Sequence, residues 1–211
     1  MAKLRLFFAA VLLAALVTAP VRGADIIAEW SSVKPPPPPQ LKPVTLDGKT
    51  TALLILDMMK RGCGSRPRCL ATVPNVKKLH DQARAAGAMI FYTLVGDKPE
   101  PSEIIDQGFA PRDGEWVAQR GPDKFLGSGL EEKLKARGIK TVIVCGTSAQ
   151  GVVIGTGSGS AQRGYKVIVP VDCMSSDDPY MEQYAAFHMA KGGPAVVTEQ
   201  TTVTRSDMIK F

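Results

Sequence analysis

The sequence predicts a three-layer α/β domain, a six-stranded, mostly parallel sheet with helices on both faces. Three observations carry this. The apolar runs Thr51–Asp57, Thr141–Gly146 and Lys166–Asp172 are continuous rather than alternating, as in strands buried on both faces. Segments of helical periodicity alternate with them, and glycines (Gly87, Gly138, Gly164) stand where those helices should stop. Strand and helix in strict alternation imply βαβ units, whose crossovers make the sheet parallel and cover both of its faces.

Each element follows in chain order. The first strand, Thr51–Asp57, ends its apolar run in a carboxylate. A helix from about Asn75 to Ala86 sets Val76, Leu79, His80 and Ala83 on one face. The second strand is Ala88–Val95. A loop rich in Pro, Gly and Asp then runs to about Arg112, and a short third strand lies near Trp116–Ala118. A helix from about Gly129 to Arg137 precedes the fourth strand, Thr141–Gly146. A helix of small residues, about Val152 to Arg163, precedes the fifth, Lys166–Asp172. A helix over Pro179–Ala190 and a last strand, Ala195–Thr198, complete the sheet.

The chain of 211 residues allows one domain with tails. Residues 1–23 read as a secretory signal: Lys3 and Arg5 give a positive start, Leu6 to Val17 an apolar core, Pro20 a break, and Ala24 the first mature residue. That core is short for a bilayer span, so an uncleaved anchor is the alternative reading and a secreted or periplasmic protein, free of the membrane after cleavage, the preferred one. The formal charge is +6, and loss of Lys3, Arg5 and Arg22 with the signal leaves +3. So mild a charge, with no basic cluster among aromatics, argues against nucleic acid as a partner. Residues 24–49 form an arm centred on the prolines 35–39, a stiff stretch without backbone donors that suits a spacer; Trp30 hints at docking. The domain proper occupies residues 50–211.

Three loops leave the carboxyl ends of strands with polar content, after Asp57, after Gly146 and after Asp172, and a doubly wound sheet gathers such loops into one ligand site. Asp57 is therefore either a reactive carboxylate or a cap on the turn that follows it. The loop Gly146-Thr147-Ser148-Ala149-Gln150-Gly151-Val152 runs from strand into helix, where free N–H groups stabilise an anion. It imitates a dinucleotide fingerprint, but Ser148 stands where G-x-G-x-x-G needs its second glycine. Cys63 and Cys69 flank a short loop, and a disulfide between them would pin that loop beside Asp57. Cys145 and Cys173 read as small buried hydrophobes, with Cys173 a minor candidate nucleophile. Four cysteines allow three pairings and the sequence does not choose among them. His80 and His188 lack ligand spacing, so neither a metal nor a cofactor is expected.

Several segments resemble a known family. Leu53-Leu54-Ile55-Leu56-Asp57-Met58 is similar to its first-strand motif, and Asp123-Lys124-Phe125-Leu126-Gly127-Ser128-Gly129-Leu130 to its D-A-F-x-G-T-x-L segment. Gly138–Gly146 and Arg163–Asp172 resemble its next two strands. The family is the isochorismatase-like, or cysteine hydrolase, superfamily, and the resemblance runs from about Thr51 to Ile209. It implies a Rossmann-like sheet, assembly as a homo-oligomer, and hydrolysis of a small-molecule substrate at an amide, an N-carbamoyl group or the vinyl ether of isochorismate. Amidases of the family use an Asp, a Lys and a Cys. The Asp maps onto Asp57. Counting back from Phe125 places the lysine position at Gln119, with Arg120 adjacent, and Lys124 stands too close to Phe125 to occupy it unless the loop is rearranged. The nucleophile position falls at Val152, which closes a thioester route there.

Members that cleave isochorismate also lack the cysteine and use the Asp as a general acid. Their loop is similar to Gly146–Val152, with Gln150 where they carry a histidine. The family also often has a non-proline cis peptide in this loop, here near Thr147-Ser148. The resemblance thus implies Asp57 as general acid/base, Gln119 or Arg120 as the substrate holder, and Thr147, Ser148, Gln150, Gly151 and Val152 as the loop that binds substrate or stabilises charge. The alternative is a binding or structural protein that kept the fold and lost catalysis with the Lys and the Cys.

Overall fold

A computed structural model of the chain describes residues 25–211; the signal-like segment 1–23 lies outside the described residues. The described chain divides into a short N-terminal unit ending at Pro36 and a compact unit, Pro37–Phe211. In the first unit, helix α1 (Ile26–Glu29) starts at Asp25, whose carboxylate accepts from the Ile27 N–H at 2.9 Å, and Ile26, Ile27 and Trp30 are exposed.

The second unit runs β1 (Val44–Thr45), β2 (Thr51–Leu56), α2 (Lys60–Cys63), α3 (Pro67–Ala85), β3 (Met89–Leu94), β4 (Trp116–Ala118), α4 (Leu130–Ala136), β5 (Thr141–Thr147), α5 (Ile154–Gln162), β6 (Lys166–Pro170), β7 (Met174–Ser175), α6 (Pro179–Phe187), α7 (Ala195–Gln200), β8 (Thr201–Thr204) and β9 (Ile209–Lys210). The main sheet has the order β4-β3-β2-β5-β6-β8, every pair parallel, and the two-residue β7 joins it beside the end of β5. The distal part of the proline-rich arm belongs to this unit. The Lys42 N–H donates to the Val203 carbonyl at 3.2 Å, Leu41 packs on the core, and β1 pairs with β9.

Strand β2 explains why the apolar run was unbroken. Ala52, Leu54 and Leu56 enter the core on one face of the sheet, while Leu53 and Ile55 enter the core on the other. All five are fully buried, so each leucine or isoleucine contributes roughly 1.5–3 kcal/mol. At the carboxyl end of this strand, β5 comes so close that a side chain on Gly146 would meet the Leu56 carbonyl oxygen at 2.1 Å, and Gly146 has φ +135°. Only glycine suits that position.

Two elements differ from expectation. Helix α3 begins at Pro67 rather than near Asn75, with Pro67 at its first position and Pro74 inside it. Proline fits a helix start, and Pro74 reads as a boundary although the helix continues through it. The expected strand Ala195–Thr198 is the helix α7, and the strand lies just after it, where Val203 and its β-branched neighbours pair with β6. The second change is a case of tertiary pairing overriding local propensity.

Candidate active site

Asp57 follows the last residue of β2, between β3 and β5. Its N–H donates to the Thr93 carbonyl at 3.1 Å, and its own carbonyl accepts from the Met59 N–H at 2.9 Å. Its φ is +55°, the only positive value at a non-glycine residue among the described residues. Left-handed backbone costs roughly 1 kcal/mol outside glycine and clusters at functional sites. The side chain is held on both oxygens: Thr93 Oγ1 donates to Oδ1 at 2.6 Å, and Lys124 Nζ donates to Oδ2 at 2.7 Å.

Lys124 is completely buried, and Asp57 has 12% of its side chain exposed. Burial pushes the Asp57 carboxyl above its ordinary value, and this outweighs the opposing pull of the Lys124 ammonium and of the two hydrogen bonds. The site therefore offers an acid that keeps its proton to a higher pH than a solvated aspartate. Lys124 Nζ also donates to the Gln119 carbonyl at 3.2 Å. An ammonium has three donors, and these two bonds use two of them.

The segment that carries Lys124 is seated on α5. The Thr156 hydroxyl donates to the Pro122 carbonyl at 2.9 Å and accepts from the Lys124 N–H at 3.2 Å. A Cβ at Gly155 would meet the Pro122 backbone at 2.7 Å, and one at Gly159 the Asp123 carboxylate at 2.7 Å. The small residues of α5 thus let the lysine loop approach, while Gly157 faces Met189. Phe125 anchors the far side of this loop, stacked with Tyr165 and covered by the Arg163 guanidinium 4.5 Å above its ring.

Gln119 and Arg120, the residues expected to hold substrate, bond within their own surroundings. The Gln119 side chain donates to the Leu126 carbonyl and accepts from the Arg120 N–H at 2.7 Å, and Arg120 pairs with the exposed Asp97. The cation beside Asp57 is Lys124. Counting from Phe125 failed because a flexible side chain can reach a shared point from a different backbone position.

The loop after β5 is also partly corrected. The peptide Thr147-Ser148 is cis. The N–H groups of Gly151 and Val152, expected to stabilise an anion, donate with that of Val153 to the Ser148 carbonyl at 3.0–3.4 Å. They are spent within the turn. Gln150 accepts from the Ser176 hydroxyl, and the Thr147 hydroxyl accepts from Arg66 Nη2 at 2.9 Å. Val152 is buried in the core cluster at the position implied for a thiol.

The remaining cysteines sort by burial. Cys63 and Cys69 form a disulfide, with Cα atoms 5.3 Å apart. Cys145 and Cys173 are free thiols, both fully buried, so Cys173 cannot reach a substrate. Burial, and next the neighbouring Cys173, push the Cys145 thiol well up.

The isochorismatase domain model matches residues 51–202. The chain is 29% identical over 180 residues to an uncharacterized isochorismatase family protein, YwoC of Bacillus subtilis (strain 168), covering 74% of this chain and 95% of that one. It is 31% identical over 118 residues to the secreted isochorismatase effector Isc1 of Verticillium dahliae, over 51% of this chain and 62% of that protein. Among solved structures, N-carbamoylsarcosine amidase from Thermoplasma acidophilum superposes with a TM-score of 0.60 at 26% identity, covering 75% of this chain and 97% of that one. With the parallel sheet and the matched span in agreement, the chain belongs to the isochorismatase family.

Proposed function

We propose that this protein is a hydrolase of a small molecule that works without a cysteine nucleophile, cutting a C–N or vinyl-ether bond with Asp57 as general acid/base. The observation that carries the reading is the buried Asp57–Lys124 pair at 2.7 Å, on a strained backbone at the sheet's rim, with Val152 where a thiol would attack. A carboxyl whose proton is retained by burial can protonate the carbon of an enol ether as water adds to the cation so formed. The same group, once ionised, can take a proton from water attacking a carbamoyl carbon. In both cases the Lys124 ammonium lies beside the carboxyl whose charge changes. The similarity to an N-carbamoylsarcosine amidase supports the C–N arm.

Amide, ureido and enol-ether substrates assayed with wild type, Asp57→Asn and Lys124→Met test this. Turnover of at least one class is expected, with the Asp57→Asn rate lower by about 10²–10⁴-fold. Equal turnover by wild type and Asp57→Asn would remove Asp57 from the chemistry. Val152 favours a second reading, a ligand-binding protein that lost catalysis, and that reading gains if no class is turned over.

Export is part of the proposal. The apolar core of residues 6–17, the Cys63–Cys69 disulfide and the secreted relative support it. N-terminal sequencing of the mature protein should find Ala24 first; retention of Met1 would oppose it.

A further inference from the structure

We infer that Arg66 recognises a carboxylate on the substrate, held at the rim of the site by the Cys63–Cys69 disulfide and masked in the free protein by Asp177. The inference rests on the reading of Asp57 above for the position of the site. Leu56 pairs in register with Gly146, so Asp57 and Thr147 each follow a paired residue at the carboxyl ends of neighbouring strands. Arg66 reaches that point from the disulfide loop. Its Nη2 donates to Thr147 Oγ1 at 2.9 Å, and the Thr147 hydroxyl donates onward to the Ser175 carbonyl at 3.2 Å. That second bond turns the hydroxyl's lone pair toward the guanidinium.

A guanidinium carries five N–H donors. Here Nε serves the Gly62 carbonyl, Nη2 serves Thr147, and Nη1 serves Asp177 Oδ1 at 3.1 Å. One N–H on each terminal nitrogen is without a partner among the described residues. The Arg66 side chain is 23% exposed, whereas Asp177 is 77% exposed. A half-buried cation thus faces a solvated loop carboxylate, and an ion pair with so exposed a partner is weak. A carboxylate on the substrate can take Asp177's place and bind on two prongs. A neutral substrate cannot, and leaves the Arg66–Asp177 pair as it is.

The loop is built to hold this position. The disulfide ties Cys63 to Cys69, the Arg66 N–H donates to the Cys63 carbonyl at 2.9 Å, and helix α3 starts at the next residue, Pro67. Little freedom remains to be lost when an anion docks.

The test is binding, measured as Kd by ligand-observed NMR, for N-carbamoylsarcosine, benzoate and pyruvate, each beside its neutral carboxamide. Wild type is expected to bind at least one acid roughly tenfold more tightly than its carboxamide. Arg66→Met should erase the preference and Arg66→Lys should keep part of it, with thermal melts confirming that each variant is folded. Asp177→Asn, at an exposed side chain, should tighten acid binding by unmasking the guanidinium, whereas a purely structural pair would give no gain. A wild type without preference for any acid, a preference that survives Arg66→Met, or weaker acid binding by Asp177→Asn would each overturn the inference. These readouts need no turnover, so failure of the Asp57 chemistry leaves them legible, and loss of acid preference leaves the Asp57 assays unaffected.

Discussion

Two aspartates mark strand ends of the sheet, and they are equally accessible: Asp57 just after β2 and Asp172 just after β6 each expose 12% of the side chain. Their partners differ. Asp172 accepts from the Ser206 N–H at 2.8 Å and the Ser206 hydroxyl at 2.7 Å, and its carbonyl accepts from Asn75 at 3.1 Å. These are neutral donors that tie the C-terminal segment to the sheet, and Arg205 lies 3.9 Å off. Asp57 instead shares its carboxylate between Thr93 and a wholly buried lysine, on left-handed backbone. Burial alone does not make a carboxylate reactive. What sets Asp57 apart is the wholly buried Lys124 ammonium bonded to it.

The sharpest way to break this contrast is activity. Asp57→Asn should lower turnover by about 10²–10⁴-fold. Asp172→Asn should leave it within about threefold, because its hydrogen bonds are structural, and should cost about 1 kcal/mol of stability. Steady-state rates on the substrate found by screening decide between them; equal losses would mean that the two carboxylates play one role.

Stability sharpens it next. Asp57→Asn strands the Lys124 ammonium in the interior, a loss of about 3 kcal/mol in urea unfolding. Lys124→Met should cost less, since Asp57 can shed its charge by keeping its proton, which burial already favours. A Lys124→Met loss larger than that of Asp57→Asn would reverse the ranking of the pair.

The supports of the two carboxylates differ in the same sense. Replacing both Cys63 and Cys69 with serine opens a loop of six residues' separation and should cost about 2 kcal/mol on the chain-entropy estimate. Ser206→Ala, which removes the hydroxyl held by Asp172, should cost about 1 kcal/mol with no change in rate. Gly155→Ala forces the Pro122 backbone away from α5 and shifts Lys124 without touching it, so turnover should fall by about tenfold. An unchanged rate for Gly155→Ala would mean that the lysine loop adapts freely.

Much of this was legible in the sequence, and what was not has a physical reason. Continuous apolar runs announced β2, β5 and β6 because both faces of a parallel sheet are dry. Asp57 was legible because it ended such a run. Lys124 was not, since position along a loop says little about where four methylenes place an ammonium. The N–H groups of Gly151 and Val152 looked available because a strand-to-helix turn usually leaves them so; the Ser148 carbonyl claims them instead. Arg66 gave no signal at all, as its placement depends on a disulfide that spacing could suggest and on Thr147, 81 residues away.

The smallest effect expected is the pH dependence of stability that Asp57 imposes. Its carboxyl is raised in the folded state, chiefly by burial, so the folded protein holds this proton in a range where the unfolded chain has released it. The stability this confers is complete below the ordinary carboxylate value and is lost as pH rises through the higher folded value. Urea unfolding at pH rising from the ordinary carboxylate range should therefore show a declining component that vanishes in Asp57→Asn. Lys124→Met should widen the same decline toward higher pH, because the ammonium that opposes the upward shift is gone. In the enol-ether reaction the rate should follow the protonated form and fall across the raised value, with Lys124→Met moving that fall upward. A rate that rises through that range would instead assign Asp57 the base role and point to the C–N bond.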